Sequence, residues 1–142
     1  MVALAIIAIL SAVAVPAYRD QMTRSRRADA KGALQQAAMW MERNQAATYR
    51  YDRDAGGTAV DAAYLAQLGL AQTPATGTAV YKLTFASGPS TSAYVLVATP
   101  QGSQATVDAA CGTLAIDNIG QRGRLSGTAV VIDSTSEACW QR

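Results

Sequence analysis

Hydrophobic and polar positions divide the chain into parts with different patterns. The first part, residues 1–18, contains no charged side chain, and Arg19 follows it at once. As a helix rising about 1.5 Å per residue it would be about 27 Å long, close to the hydrocarbon thickness of a bilayer. We therefore expect this segment to be buried in lipid or among other copies of the chain.

The next residues continue the helix. Between Asp20 and Ala47 there is no proline, and good helix formers dominate. Small and apolar residues recur every three or four positions and predict one buried face, with one polar exception. These positions are Ala30, Ala33, Leu34, Ala37, Met41 and Gln45. Residues 1–47 are thus predicted to form one long helix, with a kink or break at Pro16, which removes a backbone hydrogen bond.

The rest of the chain is predicted to be a connection followed by an antiparallel sheet. Residues 48–79 contain glycine and proline breaks, with a short helix predicted over residues 60–68. Alternating apolar and polar positions then indicate strands over residues 80–85, 93–99, 113–117 and 121–124. The predicted fold is α+β, a long N-terminal α-helix packed on a four-stranded antiparallel sheet within residues 80–142. The C-terminal residues 125–142 are expected to form a loop closed by a disulfide.

Composition excludes several classes of function. The 142 residues carry a net charge of +2 and include no histidine, which removes histidine-based catalysis and histidine metal sites. No nucleophile–base pair, phosphate-binding loop or Ca²⁺-loop spacing stands out, so no enzyme, metal site or cofactor is predicted. Cys111 and Cys139 are predicted to form a disulfide in an oxidising compartment. The alternative is two buried free thiols in a cytosolic protein.

Basic residues are concentrated directly after the apolar segment. Residues 19–31 hold five basic and two acidic side chains, a difference of +3. Three interpretations of this basic segment are open. It forms a solvated helix face, its side chains pair with Asp20, Asp29 or a neighbouring subunit, or they contact lipid headgroups. The predicted DNA or subunit contacts are Arg24, Arg26, Arg27, Lys31, Arg122 and Arg124. A DNA-binding surface would also include further basic residues if the fold brings them together, namely Arg50, Arg53, Lys82 and Arg142. The alternative is that these charges are dispersed over the surface.

Together, these features resemble the type IV pilins over nearly the whole chain. Residues 1–18 look like the N-terminal pilin signature after its first few mature residues. The C-terminal half is similar to a bacterial pilin subgroup that includes minor pilins, some of them DNA-uptake receptors. The residues that carry this similarity are Ala98 to Gln101, Asp108, Cys111 to Asp117, Gly120, Gly123, Cys139 and Trp140.

The start of the chain departs from the family pattern. In type IV pilins a leader is cut before an N-methylated residue, usually Phe, and a glutamate a few residues later is thought to pair with a neighbour's terminal amine. Neither residue stands at the start of this chain, whereas Met1-Val2-Ala3-Leu4 resembles what normally follows that glutamate. We therefore expect the mature N-terminus to lie upstream of Met1. The alternative is that this subunit differs from the family at its start.

The resemblance implies a subunit that begins in the inner membrane and is built by the pilus assembly machinery into an extracellular helical filament of its own copies. Pro16 resembles the family's helix-breaking proline. The expected filament-core residues are Val2, Leu4, Ile6, Ile7, Ile9, Leu10, Val13 and Val15.

The leading hypothesis is a structural subunit, the major pilin of a type IV pilus used for attachment, motility or DNA uptake. The alternatives are a minor pilin that binds DNA or primes assembly, and a type II secretion pseudopilin. Residues 1–18 also have an alternative interpretation, as an ordinary membrane anchor without a role in filament packing.

Overall fold

A long helix and one antiparallel sheet make up most of the structure. The computed structural model describes the backbone of residues 2–141 and the side chains of residues 14–141. The helices are α1 (Val2–Thr48), α2 (Ala62–Gln67), α3 (Ser103–Val107) and α4 (Ser134–Gln141). The strands are β1 (Gln72–Thr73), β2 (Tyr81–Phe85), β3 (Val95–Pro100), β4 (Leu114–Asp117), β5 (Arg122–Ser126) and β6 (Ala129–Val131).

The predicted α+β fold is confirmed, with a correction to the number of strands. The sheet has six strands, in the order β1-β2-β3-β4-β5-β6, and each neighbouring pair is antiparallel. The two strands absent from the prediction are β1 and β6 at the edges. They are two and three residues long, too short for an alternating pattern to stand out from turn-rich sequence.

The core lies between the sheet and one face of α1. Ala30, Leu34, Ala37 and Met41 of the predicted stripe are fully buried. They belong to one cluster with sheet residues on the facing side, which are Leu83, Leu96, Ala98, Leu114 and Ile116. Register explains why these sheet residues share a face, since Leu96 pairs with Ile116 and Ala98 with Leu114 on β3 and β4.

Helix α1 runs through Pro16 without interruption. The single chain thus shows a continuous helix at this position, and a kink at Pro16 stays a prediction. Proline removes one backbone donor, but Ala14 and Ala17 on either side are the best helix formers, and the remaining bonds hold the helix. Val15 and Tyr18 are exposed, so this part of α1 is not packed against the rest of the domain. Opening of the helix at Pro16 in a filament stays a prediction.

The C-terminal residues form regular structure rather than the expected loop. The Cys111–Cys139 disulfide is confirmed, with the two Cα atoms 5.7 Å apart, but the segment it closes contains β6 and α4. Asp133 caps α4, because its Oδ1 accepts a hydrogen bond from the Ser136 backbone N–H at 2.7 Å. Trp140 Nε1 donates to the Gly123 carbonyl at 2.8 Å, which ties α4 to β5. These local bonds order the tail together with the disulfide.

Candidate functional site

Arg27 of the basic segment is part of a buried polar cluster inside the domain. Its guanidinium forms two hydrogen bonds to the Asp108 carboxylate, and the two side chains are only 11% and 3% exposed. The hydrogen bond to Asp108 raises the pKa of Arg27. Because α1 carries Arg27 and Asp108 directly follows α3, this pair fastens the long helix to the connection between β3 and β4. Arg27 is therefore not available for DNA or a neighbouring subunit, which corrects its predicted role.

Tyr81 and Gln104 complete this Arg27–Asp108 cluster. Tyr81 Oη donates to Asp108 Oδ2 at 2.7 Å, and Gln104 Nε2 donates to Tyr81 Oη at 3.2 Å. Gln104 Nε2 also donates to the Thr23 carbonyl at 3.3 Å. Burial, followed by the hydrogen bond to Asp108, raises the pKa of Tyr81 to about 12. The cluster thus joins α1, β2 and α3 through polar groups that are largely shielded from solvent.

Lys31 and Arg124 also have partners within the chain. Lys31 Nζ donates to the carbonyls of Trp140 at 3.1 Å and Cys139 at 3.4 Å, near the C-terminal end of α4. Burial lowers the pKa of Lys31. Arg124 forms an ion pair with Asp133 at 2.6 Å. Both side chains stabilise the C-terminal segment, and their role in DNA or subunit contacts stays a prediction.

The other cations named from the sequence are not gathered into one surface. Arg50 pairs with Asp52 at 2.7 Å, and the Arg53 guanidinium donates to the Gly57 carbonyl at 2.8 Å. Lys82 lies exposed on β2, and Arg142 falls outside the described residues. Of the basic segment, Arg24 is exposed and Arg26 half-buried on α1, and neither has an ion-pair partner in the part of the chain that the structure describes.

Arg122 lies in an open groove between the outward side of α1 and the turn that connects β4 to β5. The groove has a volume of about 810 Å³ and also contains Arg43, which sequence reasoning missed. The residues that line it are Gln35, Ala38, Met39, Glu42, Arg43, Tyr94, Ile116, Asp117, Asn118, Ile119, Gly120 and Arg122. Among the described residues, neither arginine of this Arg43–Arg122 groove has an ion-pair partner. No local pattern links the two arginines, because only the folded sheet brings them together.

The carboxylates of the groove are already hydrogen-bonded within the chain. Glu42 accepts from the hydroxyl of Tyr94 at 3.0 Å and from that of Tyr51 at 3.1 Å, and burial raises the pKa of Tyr94. Asp117 Oδ1 accepts the backbone N–H groups of Gln121 at 2.8 Å and Ile119 at 3.1 Å. The groove therefore carries two arginines and two carboxylates, and among these charged groups only the arginines can donate hydrogen bonds to an anionic ligand.

The predicted filament-core residues lie mostly beyond the described side chains. Val15 alone among them is described, and it is about half exposed, at 49%. The other predicted positions, for which no side chain is described, are Val2, Leu4, Ile6, Ile7, Ile9, Leu10 and Val13. Within the described part of the chain, no helix carries an apolar stretch long enough to cross a membrane.

Comparison with known proteins identifies the family. A family model described as the type IV minor pilin ComP, DNA uptake sequence receptor, matches residues 16–115. The chain belongs to the ComP minor pilin family. The resemblance to type IV pilins is thereby confirmed, and this ComP-family chain is a subunit of a type IV pilus, an extracellular filament built with other pilins.

Comparisons with curated proteins and with solved structures add little to this family assignment. No curated protein matches the chain. Among solved structures, a type IV pilin from Shewanella oneidensis is similar, with 21% sequence identity over 78% of this chain and 99% of that chain, at a TM-score of 0.47.

Proposed function

We propose that this ComP-family subunit is a minor pilin that binds duplex DNA at the Arg43–Arg122 groove. The family is described as a DNA uptake sequence receptor, which names the class of ligand. The observation that carries the proposal is that two arginines without ion-pair partners among the described residues face one groove. This favours the DNA-binding minor pilin over the major pilin and the pseudopilin predicted as alternatives.

The chemistry of the two arginines suits a phosphate backbone. A guanidinium stays charged at any physiological pH and presents a planar set of donors that matches two phosphate oxygens. The neutralised phosphates would release counterions, which makes binding depend strongly on salt. Arg24 and Arg26 on α1 remain candidates for further contacts, either with DNA or with a neighbouring subunit.

The remaining roles follow from filament assembly. Residues 1–18 hold the precursor in the inner membrane and then pack among other copies once the assembly machinery has built the filament. Pro16 is the point at which α1 opens in that filament. The chain has no catalytic role, because its polar clusters serve to join secondary structure elements.

Salt-dependent DNA binding by the intact chain tests the proposal. Fluorescence anisotropy with a labelled random-sequence duplex is measured for wild type, Arg43→Ala and Arg122→Ala over a series of salt concentrations. Each variant is expected to bind more weakly and to lower the slope of log K against log salt by about one. Arg50→Ala is the matched control, because that arginine already pairs with Asp52, and its binding is expected to equal that of wild type. Binding that ignores salt, or that neither groove variant weakens, would contradict the proposal.

A further inference from the structure

The turn between β4 and β5 carries a large apolar side chain at its tip. Ile119 is 72% exposed, and its neighbours in the turn are Asn118 and Gly120. Tight turns favour Gly, Asn, Asp and Ser, each for a backbone reason. Isoleucine offers no such advantage, so turn formation does not explain its presence at this position.

Hydrogen bonds within the chain hold Ile119 in place. Asp117 Oδ1 accepts the N–H groups of Ile119 and Gln121, and the Gly120 N–H donates to the Asp117 carbonyl at 3.1 Å. The Asn118 N–H donates to the carbonyl of Tyr94 at 3.2 Å, which fixes the turn to the neighbouring segment. The apolar side chain is thus presented on a support that is already ordered before any ligand binds.

We infer that Ile119 inserts as an apolar wedge between base pairs of the bound duplex, beside Arg122 on the phosphate backbone. The inference rests on the proposed DNA-binding function and adds how the DNA is deformed. Proteins that kink DNA from the minor groove combine an inserted Phe, Leu, Ile, Met or Pro with nearby Arg, Lys, Asn or Gln. Asn118, Ile119 and Arg122 line the same groove here and supply this combination.

The family match favours DNA over a second copy of the chain as the occupant of the groove. The cations Arg43 and Arg122 have no ion-pair partner within the described residues, whereas Glu42 and Asp117 are satisfied by hydroxyl and backbone donors. The groove thus carries two cations and two carboxylates, and its arginines are the groups that can donate to the phosphates of DNA. Because Ile119 is exposed, it can enter a base step without first breaking any packing inside the protein.

Unstacking of a fluorescent base tests the wedge. A duplex is selected from a random-sequence pool on the intact wild-type chain, and 2-aminopurine is then placed at successive positions. Wild type is expected to raise the fluorescence at one base step. Ile119→Ala is expected to remove the rise and to weaken binding about tenfold, while Ile119→Leu keeps both. Ile132→Ala is the matched control, since Ile132 is also exposed, at 50%, but does not line the groove.

The outcomes separate this inference from the proposed function. Arg122-dependent binding without any rise in fluorescence, or with Ile119→Ala equal to wild type, overturns the wedge and leaves the DNA-binding function standing. Failure of the wild-type chain to select or bind any duplex overturns both. If Ile119→Ala instead reduces self-association in the absence of DNA and leaves DNA affinity unchanged, the tip is a contact between copies and the wedge is wrong.

Discussion

Arg27 and Asp108 form the most buried of the ion pairs found among the described residues. Taking both charges out of water is costly, and the pair is stable because two hydrogen bonds and Tyr81 compensate it. Removing one partner leaves the other as a buried charge without compensation. The cluster therefore matters for stability, and it sets the position of α1 relative to the sheet.

Replacing Asp108 by Asn is expected to destabilise the fold by about 3 to 5 kcal/mol. The asparagine oxygen still accepts from Tyr81, so the loss reports the missing charge opposite Arg27. Urea-induced unfolding of both proteins measures the difference in free energy. Asp52→Asn is the control, because its partner Arg50 lies in a more exposed pair, and it should unfold almost as wild type does. An equal loss of unfolding free energy in the two variants would show that burial of the Arg27–Asp108 pair does not increase its contribution to stability.

Tyr81 predicts a loss of stability at alkaline pH. Its pKa rises from the ordinary value of 10.0 to about 12 in the folded state, chiefly through burial. Between these values the unfolded chain gives up the proton while the folded chain keeps it, so the free energy of unfolding falls as the pH rises.

We expect the stability difference between wild type and Tyr81→Phe to shrink as the pH rises from 10.0 to about 12. Denaturant unfolding at a series of pH values measures it, and the other tyrosines are common to both proteins. A difference that stays constant across this range would mean that Tyr81 titrates alike in the folded and unfolded chains.

The roles of single residues were the hardest part to predict from the sequence. Arg24 and Arg27 belong to the same basic segment, yet one is exposed and the other is buried against Asp108. What separates them is a carboxylate 81 positions away along the chain, and no local spacing reports it. Arg43 was missed for the same reason, because its groove exists only where the β4–β5 turn meets α1.

At the scale of elements, local patterns predicted most of the fold. The buried stripe of α1 and the strands from β2 to β5 follow from periods that a few residues suffice to display. The short edge strands β1 and β6 depend on pairing with a neighbour, and α4 depends on the Asp133 cap and on Trp140 bonded to Gly123. Such elements are set by tertiary contacts, so periodicity did not reveal them.

The end of α1 stores backbone strain in a residue that is not glycine. Tyr49 follows the helix in the left-handed region, with φ at 61°, and its N–H donates to the Gln45 carbonyl at 2.7 Å. Its side chain is 83% exposed. Glycine is the usual residue in this position after a helix, because it has no Cβ to clash with the backbone.

Replacing Tyr49 by Gly is therefore expected to stabilise the fold by about 1 kcal/mol. Chemical unfolding checks it, with Tyr49→Ala as the control that keeps the Cβ and should gain nothing. An equal gain in both variants would assign the effect to the tyrosine ring instead of the backbone.

At the scale of the whole molecule, the two parts of α1 have different surroundings. Residues 30–48 of the helix pack on the sheet, whereas the helix before them exposes Val15, Tyr18 and Met22. The packed part of α1 contributes to the Arg43–Arg122 groove, and the exposed part has apolar side chains that the rest of the chain does not cover. This division suits a pilus subunit that contributes a binding surface to the filament.

The most direct measurement for this account is the amount of the chain in pili sheared from its native source and quantified by mass spectrometry against the dominant pilin. A minor pilin of the ComP family predicts that the chain co-purifies with the filaments as a trace component. Finding it as the dominant subunit, or finding it absent from the filaments, would contradict the account.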